Sequence, residues 1–574
     1  MKEKLAKLLF VLLIACTIVQ AQQTNLPDSF YTIQDSILIK ARDGASISVL
    51  VVRKKGEEKP LPVIFGFTIY ARKTDVNKAK LAADKGYVGV YAYTRGKKNS
   101  PDEVIPYEYD GDDAYDVIDW ISKQEWCNGS VGMYGGSYNG FSQWASTKNL
   151  HPALKTIVPS ASAAPGLDAP MMNNVVMNFQ FSWTYYVSNN KYLDNDDYNN
   201  RKQWSDMEQK WFETGSSYRT FDSLLGRSKN KIFNKWLDHP TYDNYWQRMI
   251  PNKDQYAKIN IPVLTTTGYF DGGQVGALHY MRELDKYNPN ANQYLIIGPY
   301  GHFGSQGSPD SVYNGYKIDS VANISITNII FQWFDYILKN KAKPSFLQDR
   351  INYQVMGTNS WKHVKSLANV SNDSLTFFLD NSNNHLLNPQ KASKIDFAKM
   401  KVDYKDRSSM NSYYYAFRLI WEGLNAGGGI MYKTAALNKE VEFTGCFTGQ
   451  MNVSINKRDL DYSAVLFEQK ADGKYFYLTY FMGRASYAKD NKQRALLTPD
   501  KKTALPFSNS YFTSRKLSKG SKLVLIVNVN KSSSEQINYG TGKDVNEETI
   551  KDAGGPLIIK WYNDSFIKIP IWKN

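Results

Sequence analysis

Residues 131–140 read Val131-Gly132-Met133-Tyr134-Gly135-Gly136-Ser137-Tyr138-Asn139-Gly140. Val131 to Tyr134 is a short apolar run suited to a buried strand, and Tyr138 to Asn149 suits a helix. The two glycines between them leave room for a sharp strand-to-helix turn, which lifts the Ser137 hydroxyl out at the carboxyl edge of a sheet. The N–H of Tyr138, at the start of the helix, can then face a developing oxyanion. The string departs from G-x-S-x-G, because Asn139 takes the last position and the glycine comes one later. As a bare string it is equally a glycine-rich turn with a capping serine. The strand–turn–helix context is what favours a nucleophile.

Outward from this turn the chain alternates between strand and helix patterns. Ile47 to Val52, Pro62 to Phe67, Tyr87 to Tyr93 and Leu154 to Val158 are apolar, β-rich runs. Asp75 to Lys85 suits a helix stopped by Gly86, and Ala114, Val117, Ile118 and Ile121 recur at helical spacing. Such alternation predicts an α/β class with a mostly parallel sheet covered on both faces. The rhythm breaks over residues 164–254, a stretch rich in Met, Trp, Tyr and Asn that reads as a helical insertion over the sheet. It resumes at Ile261 to Thr266 and Tyr294 to Ile297, and closes with a helix near Ile324 to Lys339. Residues 22–163 and 255–344 thus read as two parts of one core. After residue 345 the helical signal nearly vanishes, and short strands between Gly, Asn, Asp and Ser turns predict a β-sandwich to residue 574. Asp472-Gly473 marks a hairpin within it.

A nucleophilic serine needs a base, and the chain has six histidines. His151, His239, His279, His363 and His385 lack a place at a strand's carboxyl end in the β/α half. His302 has one, because Tyr294 to Ile297 runs into the loop Gly298-Pro299-Tyr300-Gly301-His302. The orienting acid falls between serine and histidine in chain order, and Asp271 ends the strand Ile261 to Thr266 through Thr267-Gly268-Tyr269-Phe270. Each residue alone has a plainer reading, as a loop histidine or a turn-forming aspartate. Three at three strand ends, in the right order, argue jointly. The sequence holds no HExxH, paired CxxC or P-loop, so neither metal nor cofactor is expected. Asp194, Asp196 and Asp197 read as a solvated loop.

Composition sets the remaining bounds. Charged residues at 22% and hydrophobic ones at 42% exclude wholesale disorder. Met1 to Ala21 reads as a secretory signal, with Lys2, Lys4 and Lys7, an apolar run from Leu8 to Val19, and a small-residue site ending at Ala21. Leu13-Ile14-Ala15-Cys16 also resembles a lipobox, which would tether the chain to a membrane through Cys16. Thr17-Ile18-Val19 carries the apolar run past that cysteine and favours cleavage after Ala21. The expectation is a periplasmic or secreted protein. The formal charge of +15 is scattered among acids without long basic runs, so nucleic acid is not an expected partner. Cys127 and Cys446 fall in different predicted domains and read as free buried thiols. Oligomeric state stays open.

With these residues in place, the chain resembles the cocaine esterase-like (CocE/NonD) serine hydrolases, related to Xaa-Pro dipeptidyl-peptidases and α-amino acid ester hydrolases. The resemblance rests on Thr94-Arg95-Gly96, Asp119-Trp120-Ile121, Gln124-Glu125-Trp126 and Gly132 to Tyr138. It extends to His239-Pro240 with Tyr242-Asp243 and Tyr245-Trp246, to Gly298-Pro299, and to Asp459-Leu460-Asp461 with Gly483-Arg484-Ala485. It implies an α/β-hydrolase core, an inserted helical cap and a C-terminal jelly-roll domain. It also implies that the Tyr70 hydroxyl is the second oxyanion donor, although Ile69 stands where the family usually has proline.

The function expected is hydrolysis of an ester or amide through an acyl-enzyme on Ser137, with Asp271 and His302 as partners and Tyr70 and Tyr138 as oxyanion donors. The α-amino acid ester hydrolases carry acidic residues shortly after the triad aspartate, where this chain has Gly272, Gly273 and Gln274. Asp168 offers one carboxylate, and Tyr70, Tyr138 and Phe270 an aromatic pocket. Release of Xaa-Pro from a short peptide is the alternative. A non-catalytic binding protein on a hydrolase scaffold is the alternative of another class.

Overall fold

The computed structural model describes residues 26–382, 385–411 and 418–573. The stretch Met1 to Ala21, expected to be a signal, and Cys16 within it lie outside the described residues. A ten-stranded sheet forms the core. Its strands are β1 (Tyr31–Lys40), β2 (Ser46–Lys54), β3 (Leu61–Thr68), β4 (Val88–Tyr93), β5 (Cys127–Gly136), β6 (Leu154–Ser160), β7 (Val263–Phe270), β8 (Gln293–Gly301), β9 (Ile351–Val355) and β10 (Ser360–Val364). They lie in the order β1-β2-β4-β3-β5-β6-β7-β8-β9-β10. From β4 to β9 every neighbouring pair is parallel, so the carboxyl ends of these strands share one edge.

Helices α1 (Asp75–Asp84), α2 (Asp110–Ser122) and α3 (Tyr138–Ser146) follow β3, β4 and β5 in turn. Of the cap, the longer helices are α4 (Phe179–Ser188), α5 (Arg201–Thr214) and α6 (Lys231–Leu237), inserted between β6 and β7. The core closes with α7 (Gln274–Tyr287) and α8 (Ile326–Lys339). Helix α8 shows how sequence sets packing. The Ser325 side chain caps its first turn, and Asn340, in the left-handed region, ends it. Its apolar stripe Ile326, Ile329, Ile330, Trp333 and Phe334 is buried, each side chain contributing about 1.5–3 kcal/mol. The helix lies so close to β5 that a Cβ on Gly132 would come within 2.8 Å of the Phe334 ring.

The core sheet continues past residue 344, where the sequence reading ended it. β9 pairs in parallel with β8, and β10 returns antiparallel. Asn352 and Gln354 make β9 look polar, yet the whole strand is buried. Burial is tolerated because Asn352 Nδ2 donates to the carbonyls of Leu295 (3.1 Å) and Asp349 (2.8 Å), and Gln354 Nε2 to Asp319 (2.7 Å).

The C-terminal part is a β-sandwich. Strands Asp461–Gln469, Tyr475–Arg484 and Lys522–Val529 form its antiparallel centre, and Gly473 at φ +85° supplies the left-handed position of the hairpin between the first two. The Asp459-Leu460-Asp461 and Gly483-Arg484-Ala485 motifs meet in this centre. Arg484 grips Asp461 with two bonds, 2.8 and 2.9 Å, while Asp459 accepts from Ser486 and Arg494.

The sandwich is stitched to the core and the cap. The buried Gln274 amide at the start of α7 donates to the Phe512 carbonyl (2.9 Å) and accepts its N–H (2.6 Å). Asn178, beside α4, donates its N–H to Ser534. Cys127 and Cys446 are free thiols, the first buried and the second half-buried.

Candidate active site

Ser137 sits between β5 and α3 with φ +63° and ψ −121°, a left-handed conformation that a non-glycine residue holds only at the cost of about 1–3 kcal/mol. Its N–H donates to the Ser160 carbonyl at the end of β6 (3.0 Å), which fixes the turn. The glycines around it answer to close approaches. A Cβ on Gly136 would stand 2.0 Å from Gln306 Oε1, and one on Gly140 would stand 2.5 Å from Ser162 Oγ. This explains the shift from the G-x-S-x-G spacing, since the small residue is needed at Gly140, where α3 crosses the end of β6. Tyr138 opens α3, where backbone N–H groups have no carbonyl within the helix to bond.

His302 lies just past β8, and Gln306 Nε2 donates to its carbonyl (2.7 Å) while packing against Gly136. The His302 loop is thereby held beside the serine turn. Nδ1 of His302 lies 2.7 Å from Oδ1 of Asp271, a fully buried carboxylate. Asp271 also accepts from Thr267 Oγ1 (2.7 Å), the Gly273 N–H (2.8 Å) and Ser305 Oγ (3.4 Å). An acid so held keeps Nδ1 protonated and leaves the Nε2 lone pair of the imidazole for a proton. Burial by itself would lower the pKa of His302, but the charge of Asp271, its hydrogen bond and the charge of Asp168 outweigh it and hold the pKa above the ordinary value.

The Tyr70 hydroxyl stands 3.4 Å from Ser137 Oγ. Its pKa is raised by burial, so the phenol keeps its proton and is able to donate it in a hydrogen bond. On its other side the Trp183 indole N–H, from cap helix α4, reaches the Tyr70 oxygen at 3.3 Å. The structure therefore brings Ser137, Tyr70 and the N-terminus of α3 together, with Asp271 and His302 paired from the loops that follow β7 and β8.

The other residues expected in the pocket have different partners. The Tyr138 ring is buried, its hydroxyl donating to Asp110 (2.7 Å) and accepting the Tyr107 N–H (2.8 Å). Asp110 is pushed up to about 7 by burial, and also accepts from Thr94, which gives the Thr94-Arg95-Gly96 motif a place beneath the site. Phe270 is buried and stacks on Tyr313, with centroids 5.9 Å apart. Asp168 is buried, and its two oxygens accept the N–H groups of Ala164 and Gly276, each at 2.7 Å. It clamps the loop after β6 to α7 instead of standing free for a substrate, and burial pushes its pKa up to about 7. Sequence reasoning missed Thr267, Ser305, Gln306 and Trp183. The first three lie within four residues of Asp271 or His302 and were open to a search for supporting donors, whereas nothing local marks Trp183.

Comparison with known proteins now decides the family. The model for the X-Pro dipeptidyl-peptidase S15 family matches residues 43–304, and that for the X-Pro dipeptidyl-peptidase C-terminal non-catalytic domain matches residues 347–554. The chain belongs to the S15/CocE-type serine hydrolases. Cocaine esterase from Rhodococcus sp. (strain MB1 Bresler) is 24% identical to this S15-type hydrolase over 489 residues, covering 78% of it and 82% of the esterase. An α-amino acid ester hydrolase superposes with a TM-score of 0.77 at 19% identity, covering 97% of this chain and 100% of that one. An aminopeptidase from a marine sediment archaeon, Thaumarchaeota archaeon, gives 0.78 at 18% identity, covering 95% and 97%. These structures share the fold of this S15-type hydrolase, an α/β-hydrolase core with a C-terminal β-sandwich.

Proposed function

We propose that this protein is an exported hydrolase that cleaves a small neutral ester, or the corresponding amide, through an acyl-enzyme on Ser137. The observation that carries the reading is the meeting of a strained, half-buried serine with a tyrosine hydroxyl and a helix N-terminus, beside a His302–Asp271 pair bonded at 2.7 Å. His302 Nε2 takes the Ser137 proton as Oγ adds to the substrate carbonyl carbon. The N–H of Tyr138 and the hydroxyl of Tyr70 stabilise the oxyanion, and Asp271 stabilises the imidazolium. His302 returns the proton to the leaving oxygen or nitrogen. Water then adds to the acyl carbon by the same route, and Ser137 regains its proton.

A neutral acyl group fits better than one bearing an ammonium. The positions after Asp271 hold glycines and a glutamine, and both oxygens of Asp168 are filled by backbone donors. The Gln274 amide is spent on the backbone of Gly268 and Phe512. The peptidase reading draws on the descriptions of both matching family models. A direct comparison separates the two. An aryl acyl ester is expected to give a larger kcat/KM than a chromogenic Xaa-Pro amide, and the reverse order would establish the dipeptidyl-peptidase reading.

Export rests on the basic start and apolar run of residues 1–21. Mass spectrometry of the mature protein is expected to find Gln22 at its N-terminus. A lipid-modified Cys16 would mean a tethered protein, and an intact Met1 would remove the export reading.

A further inference from the structure

Two residues of cap helix α4, Trp183 and Tyr186, pack against Tyr70, and Trp183 also donates a hydrogen bond to it. An indole N–H only donates, so at Tyr70 it occupies an acceptor position of the phenol oxygen. The single proton of Tyr70 is then left to point the other way, to the side of Ser137 Oγ 3.4 Å off, beside which the substrate oxyanion would form. Without that N–H the phenol is free to turn its proton to another acceptor.

The indole is held firmly. It is 8% exposed, stacks on Tyr107 and Trp236 with centroids 6.0 Å away in each case, and meets the Tyr70 ring edge-on. Tyr107 itself stays in the left-handed region, at φ +71°, with its N–H on the Tyr138 hydroxyl. The helix that carries Trp183 is tethered at its far end by Lys97, in the loop after β4. The Lys97 ammonium is caged by the carbonyls of Val187 (2.7 Å), Asn190 (2.6 Å) and Tyr192 (3.2 Å). These contacts define where the indole N–H sits relative to the core.

We infer that Trp183 is a positioning residue that orients the Tyr70 hydroxyl, so that the oxyanion hole is complete only with cap helix α4 in its seat. This rests on the reading of Tyr70 as an oxyanion donor, and the test keeps the two apart. Aryl ester kinetics are measured for Tyr70→Phe, Trp183→Phe and the double variant. Tyr70→Phe is expected to lower kcat about 10²–10³-fold, as for loss of one oxyanion donor. Trp183→Phe keeps an aromatic ring in the stack and is expected to lower kcat about fivefold, with KM little changed, as for one neutral hydrogen bond. In the Tyr70→Phe background the same change should have no further effect on kcat, because Trp183 acts through the hydroxyl.

A fivefold loss that persists in that background, or no loss in the single variant, overturns the inference and leaves the role of Tyr70 standing. An unchanged kcat for Tyr70→Phe removes the oxyanion assignment and the inference with it. If Trp183→Phe fails to fold, benzothienylalanine at position 183 keeps the ring shape without the N–H and takes its place with the same expectations.

Discussion

Ser137→Ala is expected to cut aryl ester turnover by about 10⁴-fold or more, leaving the residual catalysis that an oxyanion hole and binding supply alone. The loss should fall on kcat, because Oγ forms the bond that breaks the substrate while the remaining pocket is intact. Alanine at φ +63° carries the same backbone strain as serine, so the melting temperature should barely move. Ser137→Gly makes the control sharper. Glycine adopts that conformation freely, so this variant should be equally inactive yet at least as stable. Activity within about tenfold of the parent in either variant would mean that another nucleophile does the chemistry.

Asp271→Asn is expected to lower kcat about 10³-fold and to move the pH profile. The Gly273 N–H is a fixed donor to Oδ1, so the asparagine should place its oxygen there and its amide nitrogen toward the Thr267 and Ser305 hydroxyls, which can rotate to accept. The Nδ1–H tautomer of His302 is then kept and only the charge is lost. The effect should thus stop short of the roughly 10⁴-fold seen where the tautomer is wrong as well. His302 must be neutral to act as base, so kcat/KM falls as the pH drops through its pKa. In the parent protein that midpoint is expected above the ordinary 6.5, because Asp271 raises it. Removing the charge should carry the acid limb to lower pH. A midpoint that stays put would show that the limb belongs to another group. Asp168 is the first to examine, since burial pushes its pKa up to about 7.

The core was legible because its chemistry repeats. Apolar runs alternate with helical spacing from Ile47 to Val158 and again from Ile261 to Lys339, and a buried parallel sheet leaves that trace in any sequence. Ser137, Asp271 and His302 stood out as candidates by their places at strand ends, together with their order. Strand β9 was missed because Asn352 and Gln354 are polar residues made burial-compatible by partners distant in the chain. Asp168 was read as a free carboxylate for the same kind of reason. Its backbone donors at Ala164 and Gly276 become visible only once α7 is packed beside the loop. Trp183 lies in a stretch without regular periodicity, and its bond to Tyr70 joins residues 113 positions apart. Tyr70 itself was legible through resemblance, with its distance to Ser137 supplied by the fold.

The central claim is that Ser137 is the nucleophile, and site mapping of a covalent probe tests it most directly. The full-length protein is treated with a fluorophosphonate, digested, and sequenced by mass spectrometry. A single adduct on the peptide containing Ser137, lost in Ser137→Ala, is the expected result. An adduct on another residue, or undiminished labelling of the alanine variant, would contradict the account.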